Sequence, residues 1–398
     1  MTLSSTASDV ISQLAGIQPG SALAELRAQR PEATRHAQGS YAALFDPEDV
    51  ADLSTVDRLA TALRVATLHA APAAGGHYRH RLVSVENGQV VARSVEAPDG
   101  AMSPRLRAIL RHADLLATAP AQARPADLQA LAEVGLSTRA IVTLSQVIAF
   151  VSFQVRVLRG LQLIGGQSTA PAGVESERHV AAGQSATHEP PAQIIPPDPS
   201  LRRPAAFTVD PLEWSPWLQP IDLADANPKQ AAALEGSRGN SPYFRLLARD
   251  VDVLTERTAT DRGIFYTPGG APRADRELSA AATSRLNGCI YCASVHARLA
   301  AQLAKRPEDI DRLLLKGVAP GTELSLDNRW QGVVDLAVAL APTPPVATTQ
   351  HIAQLREIGL SDLEILDVAQ AGAFFAWANR LMLTLGEPYY ARNERCPD

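Results

Sequence analysis

The residues best placed to do chemistry are Cys289, Cys292 and His296, with Glu277 twelve positions ahead of the first thiol. Two thiols with two residues between them can cycle between dithiol and disulfide, and an acid and a base close by can move the protons. That combination points to redox chemistry on a small substrate. Asn287-Gly288 breaks the helix that carries Glu277, so a new helix is expected to begin near Cys289. Free amides at a helix start favour a thiolate and lower its pKa. Cys289, Cys292 and His296 fall on one helix face. His296 then lies one turn beyond Cys292, where it can exchange a proton with that thiol directly or through water. Glu277, arriving from the preceding helix, can hold the imidazole or that water.

Plainer readings of the same residues are a buried pair of small side chains on an apolar helix, or a zinc site. Zinc needs further ligands, and beyond His296 only the remote His351 and Cys396 are available. Covalent haem attachment requires a histidine after Cys292, where Ala293 stands. A thioredoxin-type pair belongs in βαβ surroundings, which the pattern lacks. Cys396, in a polar tail, reads as incidental, and His77, Tyr78 and His80 read as surface polar residues.

The chain has 398 residues and is 46% hydrophobic, enough for two domains with their own cores. Its formal charge is 37 − 42 = −5, without a long basic run, so nucleic acid and anionic membrane are poor partner expectations. No apolar run is read as reaching the roughly 20 residues of a membrane span. Residues 1–20 lack the basic and apolar regions of a secretory signal. Three cysteines in such a length fit a reducing cytoplasm, where a close pair is catalytic or metal-binding. No flavin, haem or nucleotide motif is present, so no cofactor is expected.

The elements that must position these residues read as amphipathic helices. Capped helices are expected at residues 9–14, 22–30 (closed by Pro31), 54–69, 103–117, 125–134 and 137–163. Asn87-Gly88 reads as a hairpin turn within 82–95. Residues 165–204 are rich in Gly, Ser, Ala, Pro and Gln and read as a flexible linker. Residues 212–223, with Trp214 and Trp217, should dock on a domain surface. Helices resume at 242–261, 274–285, 289–304, 307–316, 328–340, 348–358 and 361–385. The two halves repeat: Leu131, Gly135, Ser137, Gln146, Phe150 and Arg156 recur at an offset of 224 as Leu355, Gly359, Ser361, Gln370, Phe374 and Arg380. Gly followed by Leu-Ser is generic helix punctuation, but the Gln, Phe and Arg that follow are not. An ancestral helical domain is therefore read as duplicated.

Glu, eleven residues, Cys-x-x-Cys, three residues, His resembles the signature of the AhpD-like alkylhydroperoxidases of the carboxymuconolactone decarboxylase superfamily. The motif covers about twenty residues, and the duplicated Gly-Leu-Ser helix resembles the helix that follows it in that family. The resemblance implies an all-α fold of duplicated AhpD-like domains. Residues 1–164 would be a degenerate decarboxylase-like domain, 165–204 the linker, and 205–398 the peroxidase-like domain. It also implies that Cys292 attacks a hydroperoxide, that Cys289 resolves the sulfenic acid as a disulfide, and that a lipoyl or thioredoxin-like dithiol protein supplies the electrons. A homo-oligomer is implied as well. One departure stands out: the best-studied type has a histidine before the second cysteine, where this chain has Tyr291, a poorer proton carrier near neutral pH. Two other functions fit the residues. One is a lyase or isomerase using Glu277 and His296 as acid and base; the other is a non-enzymatic redox sensor. At an offset of 220, Asp57 falls at Glu277, His69 at Cys289 and Pro72 at Cys292. The front half is therefore expected to be redox-silent and structural.

Overall fold

The computed structural model describes residues 9–97, 102–167 and 189–391. The front half begins with α1 (Val10–Leu14), α2 (Ala22–Ala28) and α3 (Pro31–Phe45). It continues through α4 (Thr55–Leu68), α5 (Pro72–Val83), α6 (Gly88–Glu96) and α7 (Pro104–Thr118). It closes with α8 (Pro125–Glu133) and α9 (Thr138–Ile164). After β1 (Glu213–Pro216), α10 (Pro228–Ala233) and α11 (Pro242–Leu247) lead into the back half. This consists of α12 (Val251–Phe265), α13 (Arg273–Leu286), α14 (Ile290–Ala304), α15 (Pro307–Lys316), α16 (Asn328–Leu340), α17 (Thr349–Glu357), α18 (Asp362–Thr384) and β2 (Gly386–Tyr389).

The fold is all-α and its helix order repeats: α3 to α9 return as α12 to α18. Pro31 and Val251 start α3 and α12, 220 residues apart; Thr138 and Asp362 start α9 and α18, 224 apart. Equivalent helices pack on each other, α3 on α12 and α9 on α18, and these are the two most extensive helix pairings. Each half thus presents the same faces to the other, the arrangement of a two-fold dimer inside one chain. At the seam the Trp377 indole donates to Gln146 Oε1 at 2.8 Å, Phe150 meets the Trp377 ring edge-on, and Phe153 lies tilted against it.

Helix starts follow local chemistry. Ser54 and Asp57 form a reciprocal capping box on α4, Ser137 caps α9, and Ser361 with Glu364 boxes α18. A buried triad then ties the halves: Asp367 on α18 accepts from Arg30 at 2.6 and 2.7 Å and from Arg276 on α13 at 2.9 Å. Gly270 passes so close that a Cβ there would lie 2.1 Å from the Asp367 carboxylate, and its φ of +66° also favours glycine.

Several expectations are corrected. Pro31 starts a helix instead of closing one: α3 follows it, because proline at the first helical position loses no hydrogen bond. Asn87-Gly88 makes no hairpin. Asn87 takes φ 59° and opens α6, while residues 72–83 form α5. Of the linker, 168–188 lies outside the described residues, but 189–204 is docked. Ala192 N donates to Leu136 O, Ile195 N to Trp217 O, and Arg203 pairs with Glu387 on β2. Residues 213–216 form a strand paired antiparallel with β2, and Trp214 donates to Met382 O. Helix α9 is long and apolar enough to cross a membrane, contrary to the sequence reading, yet it is wholly buried as a core helix. His77 and Tyr78 are buried too: Tyr41 Oη meets His77 Nε2 at 2.7 Å, and Tyr78 donates to Gln154.

Candidate active site

Helices α13 and α14 run back to back, joined by the Asn287-Gly288 turn. Gly288 has φ +79°, and a Cβ there would lie 2.8 Å from Ala121 of the front half, so only glycine fits. Asn379 on α18 fixes the turn, accepting from Asn287 Nδ2 at 2.9 Å and donating to Ser284 Oγ at 3.0 Å. The chain then enters α14 with Cys289 as its N-cap.

Glu277 lies nine residues before the end of α13 at Leu286, ~14 Å along the helix at about 1.5 Å per residue. The antiparallel return of α14 brings His296 back to it. Glu277 is fully buried; its Oε2 bonds His296 Nδ1 and its Oε1 accepts from Arg273 Nε at 2.5 Å. Burial pushes this carboxyl up, but the His296 hydrogen bond and charge, with Arg273, outweigh it and hold the pKa below its usual range. The His296 ring is clasped by Phe375 and Phe265, with centroids 4.0 and 6.0 Å away. Nδ1 is committed to Glu277, which leaves Nε2 as the ring nitrogen free for exchange.

Both cysteines are free and buried. The expectation of a thiolate-favouring helix start fails for Cys289. Burial pushes its thiol well above the usual range, and the neighbouring Cys292 sulfur adds to that. Desolvation of a charged sulfur outweighs the partial charge of the helix end. Cys289 is also the less exposed of the two, at 1% against 5% for Cys292, although it stands at the helix start. Cys289 is among the residues that line a cavity of about 200 Å³, with Arg203, Trp214, Tyr291, Met382 and Glu387. Tyr291, half-buried, points its phenol into the same region; burial, with Cys292, pushes it up to about 12, so it stays a neutral hydrogen-bonding group.

The structure brings Glu277, His296, Cys292, Cys289 and Tyr291 into one region and leaves the front-half equivalents apart. Asp57 is spent on the α4 cap and on Arg105, while His69 ends the same helix. Sequence reasoning missed three groups here. Asp261 on α12 feels His296, Glu277 and Arg257, and enclosure by protein pushes its carboxyl up. Tyr243 is buried beside both sulfurs with its hydroxyl unpartnered among the described residues. The Arg257 guanidinium lies over the Phe374, Trp377 and Tyr243 rings, at 5.0, 5.7 and 5.9 Å, and its Nε has no partner there. None lies in the thiol motif, and neither α11 nor α12 carries a pattern that singles them out.

An all-α repeat enclosing a dithiol beside a carboxylate-held imidazole defines the class. Residues 252–323 match the carboxymuconolactone decarboxylase family. It is similar to the solved alkylhydroperoxidase AhpD core of an uncharacterized peroxidase-related protein from Ralstonia eutropha JMP134. That likeness has 22% identity over 40% of this chain and 84% of that one, with a TM-score of 0.35. A peroxidase-related protein from Silicibacter sp. TM1040 is 22% identical over 42% of this chain and 92% of its own, with a TM-score of 0.35. No curated protein matches the chain.

Proposed function

We propose that this protein is a thiol oxidoreductase that reduces small hydroperoxides through Cys289 and Cys292. The observation that carries the reading is the Glu277–His296 bond, set one helical turn from Cys292 beside a second buried thiol. His296 takes the Cys292 proton on Nε2, and the buried Glu277 carboxylate stabilises the imidazolium. The thiolate attacks one peroxide oxygen, the O–O bond breaks, and the leaving alkoxide takes the proton from His296 to depart as alcohol. Cys292 is then a sulfenic acid. Cys289, held protonated by burial, gives up its proton as its sulfur displaces hydroxide, which leaves as water, and the disulfide closes. A dithiol protein of lipoyl or thioredoxin type reopens it, attacking through the cavity at Cys289. Tyr291 donates a hydrogen bond near the thiols. We place this activity in the cytoplasm, in a homo-oligomer, with no cofactor.

Consumption of an organic hydroperoxide with dihydrolipoamide as reductant tests this. Turnover lost in Cys289→Ser/Cys292→Ser, with a Cys289–Cys292 disulfide trapped in the wild type, is expected. A wild-type protein that is oxidised once and never recycled would make it a redox sensor. The Glu277–His296 pair stands without either sulfur, which favours a second reading as an acid–base lyase or isomerase. Proton exchange at the α-carbon of a lactone or keto acid, undiminished in the double serine variant, would establish it.

A further inference from the structure

Helix α12 carries two charged residues beside the thiol motif that the mechanism has not used. Arg257, Asp261 and Phe265 follow one another a helical turn apart, so they share one face of α12. Phe265 packs on the His296 ring and on Phe374, and the Arg257 guanidinium lies 5.0 Å from the Phe374 centroid. That face is therefore turned to the imidazole and to α18. Arg257, Cys292, Cys289 and Asp261 all act on the charge of Tyr243, and Arg257, His296, Glu277 and Arg273 act on that of Asp261. The two charged residues and the thiols thus share one enclosure.

Arg257 is only 5% exposed, yet it makes no hydrogen bond or ion pair among the described residues. Asp261, half-buried one turn away, makes none either. The aromatic rings cover the guanidinium faces, but its N–H edges stay unused, which is costly inside protein. Of its nitrogens only Nε is shut off from solvent; both Nη atoms, the Asp261 oxygens and His296 Nε2 can be reached. The enclosure lacks a molecule that accepts from a guanidinium and donates to a carboxylate. A hydroperoxide does both: its O–H donates and its oxygens accept. The internal repeat adds an independent comparison. At the offset of 220 that relates α3 to α12, Arg257 falls on Ala37, Asp261 on Tyr41 and Phe265 on Phe45. The half without thiols keeps the packing aromatic and lacks both charges.

We propose that Arg257 and Asp261 hold the hydroperoxide for attack, an assignment that rests on the thiol peroxidase reading. Asp261 accepts from the terminal O–H, and Arg257 donates to the oxygen that bears the organic group. The Cys292 thiolate bonds to the terminal oxygen and the O–O bond breaks. The alkoxide departs against the guanidinium and takes the His296 proton. The O–H hydrogen stays on the new sulfenic acid, still bonded to Asp261. Arg257 therefore acts where negative charge develops, whereas Asp261 holds the bound peroxide and the transition state alike.

Rates of thiol oxidation by tert-butyl hydroperoxide and by peracetic acid, measured on the full chain under excess peroxide, test the proposal. tert-Butoxide is a poor leaving group that needs the guanidinium; acetate is a good one. Arg257→Met should slow tert-butyl hydroperoxide by roughly 10²-fold and peracetic acid far less. Asp261→Ala should raise the half-saturating peroxide concentration roughly 10-fold or more and leave the limiting rate nearly unchanged. Equal slowing of both peroxides in Arg257→Met would overturn the assignment, as would a lower limiting rate in Asp261→Ala without a shift in half-saturation. If Arg257→Met does not fold, Arg257→Lys decides by the same ratio of rates. Wild-type thiols that react with neither peroxide would sink the peroxidase reading and this assignment together. Wild-type oxidation with no such bias in the variants would sink this assignment alone.

Discussion

At the scale of single residues, the site turns on competition between burial and pairing. Glu277 and Cys289 are both buried, yet their ionisation moves in opposite directions. Glu277 has a ring nitrogen bonded to one oxygen and a guanidinium to the other; Cys289 has the Cys292 sulfur and backbone amide and the Asn379 side chain. Because the folded Glu277 pKa is lowered, its contribution to stability is present above the ordinary carboxylate range and is lost as pH falls through the folded value. Glu277→Gln should therefore be less stable than wild type at pH 7, and the two should converge in strong acid; curves that stay parallel to the acid limit would exclude the pairing as the cause. Glu277→Gln and His296→Ala should also slow thiol alkylation and peroxide reduction by roughly 10²-fold. Cys289 should resist alkylation until pH exceeds the usual thiol range of about 8.5, as mapped by mass spectrometry of peptides after timed labelling. Labelling of Cys289 ahead of Cys292 at pH 7 would reverse the assigned roles.

At the scale of elements, buried charges do more than the caps. Asp367 neutralises Arg30 and Arg276 where α18, α13 and the start of α3 meet. Asp367→Ala leaves two guanidiniums buried without a counter-charge and should cost about 3–5 kcal/mol in urea denaturation; a loss below 1 kcal/mol would mean that the backbone carbonyls around them suffice. On α7, burial pushes His112 down to about 4. A histidine lowered from 6.5 to about 4 makes its full contribution above pH 6.5 and loses it as pH falls to about 4, ~3 kcal/mol in all. His112→Gln should flatten that acid limb of the stability curve. The sequence disclosed these elements unevenly. Helices α15 and α16 and the long α9 were legible because a cap and a 3.6-residue apolar period coincide. Helix α3 was not, since a starting proline looks the same as a stopping one until the residues behind it are packed. Residues 189–204 were illegible for a different reason: their order comes from backbone bonds to Leu136 and Trp217, which no composition encodes. In the site, fixed spacing disclosed the α13–α14 residues, whereas Tyr243, Arg257 and Asp261 arrive by tertiary packing alone.

At the scale of the whole molecule, the halves share one core. Helix α18 is buried against α9 as well as α13, and α12 against α3. Residues 205–398 expressed alone should therefore expose those apolar faces and aggregate or melt well below the full chain, while residues 1–165 alone should consume no peroxide. Scattering and melting curves for the two fragments check this; a monomeric back half as stable as the whole would show that the halves are merely adjacent. The thiol site itself depends on the front half at Gly288, which packs on Ala121.

The pairing of α3 with α12 and α9 with α18 has a consequence for how such a chain changes over time. In an assembly of two identical subunits, every substitution lands twice, so a mutation that disarms one catalytic centre disarms both. Joined into a single polypeptide, the copies are inherited separately. One can exchange cysteine for imidazole and proline while the other keeps its sulfurs, and tethering holds the mates together at an effective concentration of roughly millimolar however dilute the solution. The molecule is in that sense a heterodimer that cannot dissociate.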